Sequence, residues 1–231
     1  MLLRFFGLLL EDPALFFLLV GVVSVALLVA ITVHEFGHAL TANTLGDPTP
    51  RSMGRLTLNP IRHLDRFGTI MILLVGFGWG KPVPVNYHML GRDPRRGMAL
   101  VALAGAFFNI LIASVAGLFV RLGVVGWQSP FYIPASNWTP DLGIAVLVSF
   151  IIFFNIILAV FNLIPIAPLD GFKVAVGLLP RRQAAGLAQL EQFGPIILIA
   201  FLFFGYYTGL LFDVLIRPAE ALSRLLTGYS F

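Results

Sequence analysis

The chain has 231 residues, of which 58% are hydrophobic and only 11% charged, with a mean hydropathy of +0.94 and a formal net charge of +4. A soluble domain carries about 25% charged residues, so these values exclude one and indicate an integral membrane protein with several spans. The positive charge does not point to nucleic acid, because the basic residues fall between apolar runs, and the lack of cysteine excludes disulfides and thiolate metal sites.

Met1–Leu10 carries one basic residue and an apolar stretch, but Glu11-Asp12-Pro13 follows without a small-residue cleavage site. It reads as a retained interfacial helix or the start of the bundle rather than a cleavable signal. Asp12 can cap a helix and Pro13 suits its first turn. From Ala14 to Val33 there is no charged residue, and helix-compatible residues persist to Leu45 before Gly46-Asp47-Pro48. At about 1.5 Å per residue this run already crosses a hydrocarbon core of about 30 Å. It ends in His34-Glu35-Phe36-Gly37-His38, so these residues lie at or just inside the far interface.

Residues 47–66 form a polar loop with Arg51, Arg55, Arg62 and Arg66. Phe67–Gly80 is apolar, short and glycine-rich, and is expected to be a re-entrant segment packed inside protein. Lys81-Pro82-Val83-Pro84-Val85 reads as extended chain, because neither proline has an N–H to donate. After a basic loop at Gly91–Gly97, Met98–Val120 is a second span. The Arg121–Pro140 loop holds Trp127, Tyr132 and Trp138, which suit a headgroup belt. Leu142–Ile164 is a third span, stopped at Pro165 and Pro168. Pro195–Phe212 is a fourth, followed by a short amphipathic tail. No soluble domain, repeat or low-complexity linker is evident, and one membrane domain is expected over residues 1–231.

Basic residues orient the bundle. Arg51, Arg55, Arg62, Arg66, Lys81, Arg92, Arg95, Arg96, Lys173, Arg181 and Arg182 fall on one side, and Arg4, Arg121, Arg217 and Arg224 on the other. The positive-inside rule makes the first side cytoplasmic and puts both termini outside. The fold class is therefore an all-α polytopic membrane protein with about four full transmembrane helices plus a re-entrant segment, placed in the cell membrane.

The pattern H-E-x-x-H on a helix puts His34 and His38 one turn apart on one face with a carboxylate beside them, the usual arrangement for holding zinc and activating a water. A polar cluster of this kind in a membrane span is a functional site by default. A third protein ligand is needed. Asp170 fits best, because span three ends at the same depth and the Pro165–Gly171 bend can aim it at the imidazoles. His63 is its main rival and His88 a weaker one. Glu35 is the candidate general base.

His34-Glu35-x-x-His38 on one span and Asn162-x-x-Pro165…Leu169-Asp170-Gly171 after a later one resemble the site-2 protease family of intramembrane zinc metalloproteases. Gly105-Ala106-Phe107-Phe108-Asn109 is similar to the family's intermediate Gly-x-x-x-Asn signature, and Lys81–Val85 to its re-entrant loop. The resemblance covers roughly residues 14–175. It implies a site-2-protease-like core with one Zn2+ held by His34, His38 and Asp170. Glu35 would be the catalytic base and Asn162 would orient substrate or water. Pro82, Val83, Pro84 and Asn109 would meet the substrate. It also implies a membrane-anchored protein substrate, cut within or near its transmembrane helix, with the lipid bilayer as the medium. The family's PDZ insertions and cystathionine-synthase-type domains are not read in this sequence.

The alternative is a zinc-binding transporter or sensor without proteolytic activity, which would have no use for Glu35. A di-iron bundle would want a second Glu-x-x-His, which is absent. Gly76–Lys81 lacks the spacing of a phosphate loop, and Gly205 with Gly209 reads as plain helix packing.

Overall fold

The computed structural model describes residues 7, 9–65, 67–68, 71, 80–132 and 138–231. The expected re-entrant segment at Phe67–Gly80 falls almost wholly outside these residues, as does most of Met1–Leu10.

Among the described residues the structure is helical with no regular strand. Besides a single turn at Thr49–Ser52, the helices are α1 (Pro13–Thr44), α2 (Pro94–Arg121), α3 (Pro140–Asn162), α4 (Asp170–Leu178), α5 (Arg181–Ala188), α6 (Gly194–Thr208) and α7 (Arg217–Thr227). Four stretches of the described residues are long and apolar enough to cross a membrane: Pro13–Thr44, Pro94–Arg121, Pro140–Asn162 and Arg181–Thr208. The expected spans are thus present. The last differs in its bounds, because α6 stops at Gly209, which sits in the left-handed region at φ 77°.

The three long helices start alike. Asp12 accepts from the Leu15 N–H at 3.0 Å, Asp93 from Arg96 N–H at 3.3 Å and Thr139 from Leu142 N–H at 3.2 Å, and each cap is followed by proline. A cap followed by proline satisfies one otherwise orphaned N–H and removes the need for another. At the membrane boundary, where water thins out, this fixes where each span begins.

Helix α2 is central and packs against α1, α3, α4 and α7. Lipid tails are as apolar as leucine, so helices in a bilayer associate through close packing and polar contacts rather than through hydrophobicity. Small residues permit that approach here. Ala26, Ala30, Ala39, Ala42, Ala99, Ala102, Ala106 and Ala113 are all buried. At Gly37 a Cβ would lie 2.8 Å from the Ala104 carbonyl oxygen of α2, closer than real contacts allow. One apolar cluster joins α1 to α3 through Leu19, Val23, Val146 and Phe150, and a second joins α2, α3 and α7 through Ala113, Ile152, Ile156 and Ala219. Trp127, expected at a headgroup belt, stacks on Tyr229 beyond the end of α7 with ring centroids 5.9 Å apart. Helix α6 is peripheral. Leu198 joins Ile164 and Leu169, while Ile196, Ile199, Phe203 and Phe204 are exposed, as lipid-facing side chains would be.

The segment 81–86 belongs to no helix or strand, and Lys81 and Val83 each precede a proline, which disfavours helical backbone there. It follows an isolated antiparallel bridge between Leu64 and Gly80, with the Lys81 N–H donating to the His63 carbonyl at 2.8 Å. Two buried charged residues fasten it. Arg55 donates to the carbonyls of Arg62 and, at 3.3 Å, Lys81. Asp47 accepts from the N–H groups of Thr49 at 2.9 Å and Asn86 at 2.7 Å.

The α1–α2 crossing should therefore not tolerate a side chain at Gly37. Gly37→Leu is expected to cost about 1–3 kcal/mol through overpacking and to lower the Tm of the detergent-solubilised protein. An unchanged Tm would show that the two helices separate freely.

Candidate metal centre

The end of α1, the middle of α2 and the start of α4 converge on one point. His34 and His38 lie one turn apart on α1, with ring centroids 4.6 Å apart. Asp170 is the first residue of α4, and its Oδ2 lies 3.1 Å from His34 Nε2 and 3.0 Å from His38 Nε2. All three residues are buried. Among the described residues, they form a group of potential ligands whose donor atoms lie within 4.8 Å of one another.

The other face of each imidazole is committed. His34 Nδ1–H donates to Asn109 Oδ1 at 2.7 Å, and His38 Nδ1–H donates to the Val101 carbonyl at 2.7 Å. Both partners can only accept. The Asn109 amide is oriented by its own nitrogen, which donates to the Ala30 carbonyl at 2.9 Å and to Asn155 Oδ1 at 2.7 Å. Asn155 in turn donates to the Ile151 carbonyl of its own helix at 2.8 Å. Asn109 and Asn155 are fully buried. With both Nδ1 atoms donating elsewhere, the two Nε2 atoms are left to face the Asp170 carboxylate.

Two imidazole nitrogens lie 3.1 and 3.0 Å from one buried carboxylate oxygen, an arrangement that either a ring proton or a metal ion would hold together. The donor set suits zinc, which takes imidazole nitrogen and carboxylate oxygen and, in catalytic sites, three protein ligands. Hydrogen bonds from the non-ligating ring nitrogens to carbonyl oxygens are the usual support of such a site.

Gly105 makes room for it. A Cβ there would lie 2.6 Å from the Cε1 atoms of both His34 and His38 and 2.7 Å from His38 Nε2. The same missing side chain uncovers the carbonyl of Val101, one helical turn earlier, for His38. On the α4 side, Gly171 runs against the chain leaving α3, where a Cβ would sit 2.3 Å from the Leu163 carbonyl oxygen. This contact lets the bend deliver Asp170 to the imidazoles.

Glu35 is half-buried, and its Oε2 accepts from the Val83 N–H at 3.1 Å. The segment carrying Pro82, Val83 and Pro84 therefore runs beside the carboxylate next to the triad. Asn109 stands behind His34 instead of beside that segment. Asn162 Nδ2 returns to the Leu158 carbonyl of its own helix at 3.0 Å. His63, the rival third ligand, turns its Nε2 to the Thr57 carbonyl at 2.8 Å. Asn155 and Lys173 are two contributors that the sequence reading passed over. A polar residue inside the apolar Pro140–Asn162 run was the available signal for the first, and the i, i+3 spacing from Asp170 for the second. Nothing in residue type marks the Val101 carbonyl.

A polytopic helical bundle that buries two imidazoles and a carboxylate, with a second carboxylate alongside, has the construction of a membrane-embedded metallohydrolase. Residues 22–205 match the model of peptidase family M50, and the chain belongs to that family, the site-2 proteases. It is 38% identical over 175 residues to "Putative zinc metalloprotease YwhC" of Bacillus subtilis, covering 76% of this chain and 77% of that one. It is 30% identical over 180 residues to "Putative zinc metalloprotease Rip2" of Mycolicibacterium smegmatis, covering 76% of this chain and 64% of the relative. The Rip2 protein of Mycobacterium tuberculosis is 29% identical over 195 residues, covering 81% and 68%. No solved structure gives a significant match.

If Asn109 fixes the tautomer of His34, Asn109→Ala should weaken zinc binding roughly 10–100-fold with helix content retained, as read by competition with a coloured chelator. Gly105→Val should remove binding altogether. Wild-type affinity in either variant would mean that the ion sits elsewhere.

Proposed function

We propose that this chain is an intramembrane zinc endopeptidase that cleaves membrane-anchored proteins within or near a transmembrane helix. The observation that carries the reading is the buried convergence of His34 Nε2, His38 Nε2 and Asp170 Oδ2, with both Nδ1 atoms committed elsewhere and Glu35 on the same helical turn. One zinc ion per chain would be held there, and when bound it would supply Lewis acidity to a carbonyl oxygen and to water.

Glu35 would take the proton of the attacking water and pass it to the leaving amine. Its Oε2 now accepts from the Val83 N–H, and it would have to exchange that partner for the water. A helix offers no free backbone groups, so a transmembrane substrate must unwind before its carbonyl can react, and glycine or proline in its span would ease this. The unwound strand could pair with the segment 81–86. Residues of that segment, including Pro82, Val83 and Pro84, would hold the substrate backbone, and Asn162 would orient substrate or water at the rim.

The excess of basic residues around the triad end supports a cytoplasm-facing site in the cell membrane with both termini outside. The position of Arg121 agrees, since its guanidinium donates to the Leu225 carbonyl at 2.9 Å and so joins the end of α2 to α7 on the opposite side.

Co-expression with membrane-anchored signalling proteins tests the activity. Glu35→Gln should abolish cleavage while zinc content stays at one per chain. Asp170→Ala should lose most of the zinc. Cleavage that survives Glu35→Gln would sink the protease reading and favour a zinc transporter or sensor.

A further inference from the structure

Asp170 uses its two oxygens differently. Oδ2 faces both imidazoles at 3.0 and 3.1 Å, whereas Oδ1 turns away and accepts from Lys173 Nζ at 3.2 Å. Lys173 lies one turn further along α4, so its side chain and that of Asp170 share a face. It is 43% exposed, while Asp170 is buried, so the ammonium reaches in from the aqueous rim to the far side of the carboxylate.

We infer that Lys173 is a positioning residue of the metal centre: by holding Oδ1 it makes Asp170 present Oδ2 alone beside the two Nε2 atoms. This rests on the zinc reading above. A carboxylate next to zinc can offer one oxygen or both. Three single donors leave a fourth position open, which a catalytic site needs and a storage or transport site does not. A second oxygen from Asp170 would add a donor, raise the coordination number and crowd that position. His34 and His38 are each held by a carbonyl oxygen behind the ring, and Lys173 does the equivalent for the third ligand with a charge-assisted hydrogen bond. The orientation of all three ligands is then set from behind, by α2 for the imidazoles and by α4 itself for the carboxylate. Because Lys173 is half in solvent, its part is orientation rather than stability, and its replacement should leave the fold intact.

The test uses the full-length protein in detergent with cobalt(II) in place of zinc, since cobalt absorbs more strongly in the visible when four-coordinate than when five-coordinate. Lys173→Met should still bind one metal per chain. Its visible bands should weaken and shift towards five-coordination, and with the zinc enzyme kcat should fall about 10-fold or more at unchanged KM. Lys173→Arg, which keeps the donor, should restore both the spectrum and kcat. Coincident spectra for wild type and Lys173→Met overturn the inference, as does failure of Lys173→Arg to restore the spectrum. If the wild type takes up no cobalt, the zinc reading falls and the inference with it. If the wild type takes up cobalt and cleaves substrate while the spectra coincide, only the role of Lys173 falls.

Discussion

The centre depends on where two protons are. Asn109 Oδ1 and the Val101 carbonyl each claim an Nδ1–H, so His34 and His38 turn their Nε2 atoms towards Asp170. Which ring nitrogens are available to a metal is thus fixed by hydrogen bonds made on the opposite side of each ring.

Those hydrogen bonds exist because α1 and α2 approach closely. Gly37 against the Ala104 carbonyl and Gly105 against the imidazoles remove the two side chains that would hold the helices apart. The same approach brings Asn109 to His34 and to the Ala30 carbonyl, so the asparagine both joins the helices and selects a tautomer. Asn155 extends the link to α3, the helix whose end leads to Asp170. In a bilayer, where apolar contact alone does not drive helices together, packing and ligand geometry are served by the same residues.

Irregular backbone at membrane depth must have its polar groups satisfied by protein. The segment 81–86 meets this demand through the His63 carbonyl, Arg55, Asp47 and Glu35. Its two prolines lower the number of N–H groups that need partners. One of those partners is Glu35, so the segment is tied directly to the carboxylate next in sequence to His34.

Much of this was legible in the chain. Apolar runs of sufficient length mark the spans by the thickness of hydrocarbon alone. The four-residue spacing of His34 and His38 puts them on one helical face, and the Pro165–Gly171 bend made Asp170 the first choice among few acids. The cap-proline pairs at Asp12, Asp93 and Thr139 are equally visible in the sequence. Tertiary structure decided what spacing cannot express. The partners of His34 lie 75 and 136 residues away at Asn109 and Asp170, and one partner of His38 is the backbone carbonyl of Val101, which carries no residue signature. Whether Asn109 faces substrate or stands behind a ligand depends on the rotation of α2 against α1, which close packing at Gly37 and Gly105 sets. Local periodicity determines which face of a helix a residue occupies, but only the packed neighbour determines what that face meets.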